Sequence, residues 1–480
     1  MKLDEYDNYG AVIPFDKNDP GPQLNDRFGS SKTVKKRTKK PDFQISLSED
    51  NLAREFAELN QDMIRYDHSR GKWQLWCGSH WECDTTERVF DWIRNFCATK
   101  AAAAGTPSEQ KRLSSVKNAR SVEAFAKADE QLAVDNSRWD TDPYLIATPG
   151  GTIDLTTGAM QDSNPDDLIT RCTSVTPSYA SDCPLWYKFL NDACAGDQEQ
   201  ILFLQKMAGY ALTGDTREHA LFFIYGDGGN GKSIFLNILT RIMNTYAFTS
   251  PMETFTASKN DQHPTALASL NGPRLVTSSE TEEGKRWAEA RIKSITGGDP
   301  ISARFMQKDL FTFKPKFKLL IVGNHKPSLN SVDDAARRRF RLVPFVHKPP
   351  VADKLLEHKL VDELPQIFRW AIEGCLLWQL EGLLPPKSVS DSTEKYFSDQ
   401  DILQQWIDER CDLDAEYFED SILAFADWSK FASDNGENIG SKKSLTGKLE
   451  KRNIPSITKW HEGKTRRVYK GLRLKKWGDY

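Results

Sequence analysis

A glycine-rich segment, "GDGGNGKS" at 226–233, has the residue types and spacing that bind phosphate groups. It follows the apolar run "ALFFI" and precedes "IFLNILTRIM", so the pattern predicts a strand, a loop and a helix. Glycines let backbone N–H groups curve around phosphate oxygens, and the start of the helix adds a favourable dipole. Lys232 is expected to reach the β- and γ-phosphates, and the Ser233 hydroxyl to bind Mg²⁺. The predicted phosphate-binding loop consists of Gly226, Asp227, Gly228, Gly229, Asn230, Gly231, Lys232 and Ser233.

Two later strand ends offer the polar groups that hydrolysis at such a loop needs. Glu280 follows the apolar part of "RLVTSSETEEG", with Glu282 and Glu283 as nearby alternates, and Asn324 follows "FKLLIVG". Glu280 is the candidate for holding Mg²⁺ and orienting water, and Asn324 for contacting the γ-phosphate or that water. On position alone, a solvated acidic loop and a turn-opening Asn are the plainer interpretations.

Three successive arginines, Arg337, Arg338 and Arg339, stand before the apolar run "FRLVPF". A guanidinium there is suited to stabilising transition-state charge, in cis or from a neighbouring subunit. From the spacing alone, a basic, solvated helix end is the simpler interpretation.

Composition describes a folded protein of several domains. The chain has 480 residues, of which 39% are hydrophobic and 28% charged, and this length predicts roughly two to four domains. No apolar run approaches about 20 residues, and the N-terminus has no signal-peptide core. We therefore expect a cytoplasmic protein with no membrane contact.

Positive charge is concentrated in two places, although the net charge is only −3. Residues 441–480 contain 13 Lys or Arg against 3 Asp or Glu, and "KTVKKRTKK" occupies 32–40. Such patches are typical of surfaces that bind a phosphate backbone. A basic C-terminal domain that only improves solubility is the alternative.

The eight cysteines are scattered without a disulfide spacing, which favours a reducing compartment. One cluster, "CGSHWEC", contains Cys77, His80 and Cys83, with Cys97 further along. Zinc sites usually show a closer first pair and a second pair at loop spacing. The sequence therefore predicts partly buried thiols here rather than a metal site.

These motifs together resemble the superfamily-3 helicases, specifically the phage/plasmid primase-helicase family related to the poxvirus helicase-primase. The matching segments are "MAGYALTG", "GDGGNGKS", "SSETEEGKRWAEARIKSITGGDPISARF", "FKLLIVGNHKP" and "ARRRFRLVPF", in family order. "GKWQLWCGSHWECD" resembles the domain that precedes the motor in this family. Nothing in residues 1–60 supplies a primase module, so we expect no primer synthesis from this chain.

The resemblance implies a role for each matching residue. It assigns ATP binding to 226–233, the Walker B acid to Glu280 and the sensor to Asn324. It makes Arg338 and Arg339 the paired arginines, one of them acting on a neighbour's ATP. Between Walker B and the sensor, "KSITGGDPISARFMQKDLFTF" matches a hairpin that grips single-stranded DNA in the pore of a ring.

Basic residues in two segments are the candidate DNA contacts. In the hairpin, Gly297 and Gly298 would supply the turn and Lys308 would lie near the tip, with Lys293 and Arg304 as weaker candidates. At the C-terminus, "KKSLTGKLEKRNI" fits a recognition helix and "TRRVYKGLRLK" part of a wing. The candidates there are Lys442, Lys443, Lys448, Arg466 and Arg467.

The predicted fold is multi-domain, with an α/β P-loop (AAA+-like) ATPase core, a mainly helical N-terminal domain and a C-terminal winged-helix domain. The expected boundaries are 1–45 for a disordered basic arm, 46–200 for the helical N-terminal domain, 201–350 for the core, 351–398 for a helical extension and 399–480 for the winged helix.

The predicted function is an ATP-dependent replicative DNA helicase of a phage or mobile element. By resemblance it would form a homohexameric ring that moves 3′→5′ on single-stranded or forked DNA and unwinds duplex DNA. It would act beside a separate primase or polymerase, in the host bacterial cytoplasm. The alternative is an ATP-assembled, origin-binding initiator that remodels DNA without processive unwinding.

Overall fold

The computed structural model describes residues 47–257, 265–279, 284–306, 308–329, 333–349, 353–436, 438–461 and 464–475. The predicted N-terminal arm, 1–45, lies outside these ranges, as do Glu280, Glu282 and Glu283. None of the described helices is both long enough and apolar enough to cross a membrane.

The first region packs helices against a small mixed sheet in the order β3-β2-β1-β4. Trp73 and Trp81 are buried, and Trp81 stacks edge-on against Trp139 at 5.9 Å between ring centroids. Residues 72–83 form an aromatic hairpin, and Trp81 belongs to a small core with Val134, Trp139 and Leu168. The elements are α1 Glu49–Asn60, β1 Ile64–Asp67, β2 Lys72–Trp76, β3 Trp81–Cys83, α2 Arg88–Ala102, α3 Pro107–Leu113, α4 Val116–Lys127 and β4 Ala133–Val134.

A three-stranded antiparallel meander and two helices lead to the central sheet. The second helix begins where the Asp197 side chain accepts a hydrogen bond from the Gln200 N–H at 3.0 Å, which caps one otherwise unpaired donor. The elements are β5 Leu145–Thr148, β6 Gly151–Asp154, β7 Ala159–Gln161, α5 Pro184–Ala193 and α6 Gln198–Leu212.

The central sheet has five parallel strands in the order β14-β8-β13-β10-β9. Continuous apolar runs, "LFFI" and "LLIV", form the middle of β8 and β13, because a parallel sheet covered on both faces buries both sides of its central strands. The elements are β8 Leu221–Tyr225, α7 Lys232–Met243, β9 Ala247–Thr249, α8 Thr265–Ala268, β10 Leu275–Ser279, α9 Glu289–Gly297, β11 Ile301–Ala303, β12 Phe311–Phe313, β13 Lys318–Gly323, α10 Asp334–Arg339, β14 Phe340–Pro344, α11 Leu356–Leu360, α12 Leu364–Glu381 and α13 Lys387–Gln400.

Alternate residues of β8 supply the two cores on either side of this sheet. Phe222 and Ile224 join the core that contains α5, α6, α7 and α12. Leu221 and Phe223 join the opposite core, which Trp287 and the end of α13 complete. The strand that leads into the phosphate-binding loop is thus fixed from both faces.

The last region follows α13 in the chain and has a small core of its own, built around Trp406, Trp428 and Tyr469. Its elements run helix, strand, helix, helix, strand, strand, with an antiparallel sheet in the order β15-β17-β16. They are α14 Ile402–Arg410, β15 Cys411–Asp420, α15 Ser421–Asp434, α16 Lys442–Glu450, β16 Ser456–His461 and β17 Lys464–Leu474.

Helices α6 and α12 cross at a pair of glycines that hold their backbones in contact. A Cβ on Gly374 would lie 2.1 Å from the Gln205 carbonyl oxygen, and one on Gly209 would lie 2.0 Å from the Cys375 nitrogen. Both contacts are with backbone, so the helices would have to separate to admit a methyl group.

We expect Gly374→Ala to lower the free energy of unfolding by about 1–3 kcal/mol, the usual cost of overpacking. Urea denaturation followed by tryptophan fluorescence measures the change. Gly447→Ala is the matched control, because Gly447 is also helical and a Cβ there meets nothing within 4 Å. Equal stability of Gly374→Ala and wild type would contradict the proposed role of this crossing.

Candidate functional site

The loop at 226–231 connects the end of β8 to the start of α7. Gly226 has φ +153°, and a Cβ there would lie 1.9 Å from the Phe345 carbonyl oxygen. Only glycine therefore fits at this first position of the motif. Asp227, Gly228 and Gly229 are exposed, so their backbone amides line an open rim.

Lys232 is held inside this loop by three acceptors. Its Nζ donates to the carbonyl oxygens of Gly226 at 2.7 Å and Asp227 at 2.9 Å, and to Asn230 Oδ1 at 2.9 Å. Burial lowers the pKa of Lys232, and the Asp227 carboxylate partly opposes that effect. The ammonium group is therefore positioned at the centre of the loop by neutral acceptors, where it can exchange them for phosphate oxygens.

Phe345, directly after β14, holds the loop through hydrogen bonds. The Asn230 side-chain amide donates to the Phe345 carbonyl oxygen, and the Phe345 N–H donates to Tyr225 at 2.8 Å. Lys348, three residues further on, passes over the loop, and its Cε lies 3.2 Å from where a Cβ on Gly229 would be. Lys348 was not among the sequence candidates, because no fixed motif spacing marks it.

Asn324 lies at the same edge of the sheet as the loop. β13 is next to β8, with Gly323 opposite Tyr225, so Asn324 follows directly beside Gly226. Its side chain is exposed. On the other side of β13, Ser279 ends β10 opposite Val322, while Glu280, the predicted acid, lies outside the described residues.

The three arginines lie at the opposite edge of the sheet, where its parallel strands begin rather than end. They end α10 just before β14, and β14 pairs in parallel with β8 from Phe340 opposite Leu221 to Pro344 opposite Tyr225. Five strand residues, about 16 Å at the usual rise, separate them from the loop. The structure therefore does not bring Arg338 or Arg339 to the phosphate-binding loop of the same chain.

The three side chains differ in their surroundings. Arg337 makes a two-point ion pair with Glu394, at 2.8 and 2.9 Å, and lies over the Phe397 ring. Arg339 is half-buried and donates to the Ala335 carbonyl oxygen at 2.9 Å. Arg338 is exposed, with its Nε donating to the Asp334 carbonyl oxygen at 3.2 Å.

The predicted hairpin is present as β11 and β12, paired from Ile301 with Phe313 to Ala303 with Phe311. The prediction that Gly297 and Gly298 form its turn is wrong. They end α9, with Gly298 left-handed at φ +75°, because a helix must be stopped before the hairpin can begin. Lys293, a weaker candidate for DNA contact, instead forms an ion pair with Asp333.

The tip of the hairpin combines cations with exposed apolar side chains. Arg304 and Lys308 are exposed there. Met306 is 68% exposed and Leu310 69%, and Phe305 stacks on Phe311 with centroids 5.6 Å apart. The cations were predicted from the sequence and the apolar residues were not, because apolar residues in a strand-like segment are expected to be buried.

The C-terminal candidates lie on two neighbouring surfaces. Lys442, Lys443 and Lys448 are on α16, which turns Leu445 and Leu449 into the core. Arg466 and Arg467 are exposed on β17, and Arg466 forms an ion pair with Asp420 at 3.4 Å.

Comparison with known proteins gives two family matches. Residues 53–195 match the family described as "D5 N terminal like", and residues 224–339 match a family of unknown function, DUF5906. The first match covers the tryptophan hairpin and α5, and the second covers the loop, the hairpin and the arginines.

Several viral proteins are similar in sequence. "Putative helicase L207/L206" of Acanthamoeba polyphaga mimivirus is 26% identical over 292 residues, 56% of this chain and 30% of that protein. "Putative helicase 022R" of Frog virus 3 is 25% identical over 57% of this chain and 29% of its own length. The chain thus spans about a third of the length of these relatives.

In fold, the chain is similar to the apo structure of the NrS-1 C terminal region. The TM-score is 0.51 at 9% identity, over 89% of this chain and 100% of that one. The family match over 53–195 and the similarity to viral proteins named putative helicases agree with the resemblance that the motifs predicted, and the NrS-1 match shows a shared fold.

Proposed function

We propose that this chain is an ATP-dependent DNA helicase that works as a ring, with each ATP bound between one subunit's loop and the next subunit's arginines. A phage or another mobile element would use it in replication. The observation that carries the proposal is the separation of the loop and the arginines to opposite edges of one parallel sheet. Such a site becomes complete only when a second copy presents its arginine edge.

The residues at the loop edge fit ATP and Mg²⁺. Lys232 and the exposed amides of 227–229 suit the phosphates, and the exposed Ser233 hydroxyl on the first turn of α7 suits the metal. When bound, Mg²⁺ would neutralise charge on the β- and γ-phosphates. Asn324 would hold the γ-phosphate or the attacking water, and Glu280 is proposed to orient that water.

The C-terminal region is proposed to be a winged helix that binds DNA. Its order of helix, strand, helix, helix, strand and strand supports this, with α16 as the recognition helix and β16–β17 as the wing. This region also favours the second candidate function, an initiator that assembles on an origin with ATP and does not unwind processively.

Lys232→Ala is expected to abolish DNA-stimulated ATP hydrolysis, because the loop loses the cation at its centre. Phosphate release in the presence of single-stranded DNA is the measurement. Lys387→Ala, which removes an exposed lysine paired with Asp391 on α13, is the control and should hydrolyse ATP at the wild-type rate. Wild-type hydrolysis by Lys232→Ala would falsify the motor proposal.

Arg338 is proposed as the group that crosses to the neighbour's ATP, since it is the exposed member of the three. Arg338→Ala should reduce hydrolysis by about 10³-fold, whereas Arg337→Ala, whose side chain is held by Glu394, should retain it. Equal amounts of Lys232→Ala and Arg338→Ala subunits should form mixed rings. About a quarter of their interfaces should be active, because there an intact Lys232 from one variant faces an intact Arg338 from the other. No recovery on mixing, with mixed rings confirmed by mass spectrometry, would argue against action between subunits.

Lys308→Ala tests the hairpin as the element that grips DNA. We expect unwinding of a forked duplex to be lost while hydrolysis without DNA continues, because the hairpin is separate from the loop edge. Lys314→Ala, beyond the end of β12, is the matched control. Full strand displacement by Lys308→Ala would reject this role. A wild-type protein that protects an origin sequence with ATP but displaces no strand would favour the initiator.

A further inference from the structure

Three potential metal ligands, Cys77, His80 and Glu82, cluster at the turn between β2 and β3, far along the chain from 226–233, and a fourth, Cys172, lies beside His80. The turn is closed by a hydrogen bond from the Cys77 N–H to the His80 carbonyl oxygen at 3.0 Å. This places the Cys77 sulfur 3.2 Å from His80 Nδ1. The two side chains therefore project from the turn to the same side.

The strand and a distant segment add the other two groups. Glu82, two residues along β3, lies on the same face as His80, and its Oε1 is 3.4 Å from His80 Nε2. Ligand atoms of Cys77, His80 and Glu82 all lie within 4.8 Å of one another. The buried thiol of Cys172 lies beside the His80 side chain.

Cys172 is brought there by the docking of residues 165–172 onto the hairpin. The Trp81 N–H donates to the Ile169 carbonyl oxygen at 2.8 Å, and its indole N–H donates to Pro165 at 2.9 Å. The fourth group therefore comes from a point 95 residues from Cys77 in sequence, and no local spacing could reveal it.

We propose that Cys77, His80, Glu82 and Cys172 bind a zinc-class divalent cation that fastens the hairpin to the 165–172 segment. Thiolate, imidazole and carboxylate are the donors that zinc takes, and sulfur donors disfavour Mg²⁺ and Ca²⁺. Two atoms bound to one tetrahedral zinc at about 2.3 and 2.1 Å are about 3.6 Å apart. The sulfur–nitrogen separation of 3.2 Å needs little adjustment to reach that value.

The test uses the full chain, stripped with a chelator and titrated with Zn²⁺ alone against a chromophoric competitor. We expect one equivalent to bind to wild type, and Cys77→Ser and His80→Gln to bind at least about tenfold more weakly. Cys83→Ser is the matched control. Cys83 is also an exposed thiol on this hairpin, but its sulfur contacts the Asp84 carbonyl oxygen at 4.0 Å and, among the described residues, is not part of the ligand cluster.

Co²⁺ gives a second readout that does not depend on stability. Sulfur ligation should produce a thiolate-to-cobalt charge-transfer band that weakens in Cys77→Ser and in Cys172→Ser and is unchanged in Cys83→Ser. Equal Zn²⁺ affinity of wild type and Cys77→Ser would overturn the proposal and leave a thiol–imidazole hydrogen bond. Loss of binding in Cys83→Ser as large as in Cys77→Ser would overturn it as well.

Discussion

The parallel direction of the central strands is the constraint on which the candidate ATP site depends. Because all five strands run the same way, every strand ends at one edge and every strand begins at the other. Groups that follow strands, such as the loop after β8 and Asn324 after β13, must gather together. Groups that precede strands, such as the arginines before β14, must gather on the far side. Under the proposed function, the sharing of one ATP site between neighbouring subunits follows from this direction and requires no special loop.

β14 runs from the edge of the sheet that carries the arginines to the edge that carries the loop. Its start carries the arginines, and its end presents the Phe345 carbonyl oxygen that contacts Gly226 and accepts from Asn230. A paired, buried strand transmits displacement along its length because its hydrogen bonds to β8 resist sliding. Under the proposed function, contact of Arg338 with one ATP would therefore bear on the loop that holds the next. The tight fit at Gly226, which admits no side chain, makes the loop sensitive to small shifts of this strand.

The sequence was sufficient where a local pattern determines the structure. Continuous apolar runs located β8 and β13, and the fixed positions of "GDGGNGKS" located the loop, because both depend on neighbouring residues only. It failed where contacts between distant segments decide. Gly297 and Gly298 suit a hairpin turn and a helix end equally, and only the packing of α9 selects the second. Arg337 differs from Arg338 through its ion pair with Glu394, 57 residues away, and its position over the Phe397 ring. Cys172 joins His80 only through the docking of another segment.

The apolar tip of the hairpin has a physical explanation if it contacts DNA. Cations alone would hold a phosphate backbone by long-range attraction, which lets a strand slide. Contact of exposed Met306 and Leu310 with sugars or base faces would lower the free energy only at short range, because it depends on burying apolar surface. The Phe305–Phe311 stack stiffens the turn that presents these side chains. Lys308 and Arg304 would then attract the strand while the apolar side chains limit its slippage. A hairpin driven by ATP turnover needs both properties, since a grip that slides converts no displacement of the protein into movement of DNA.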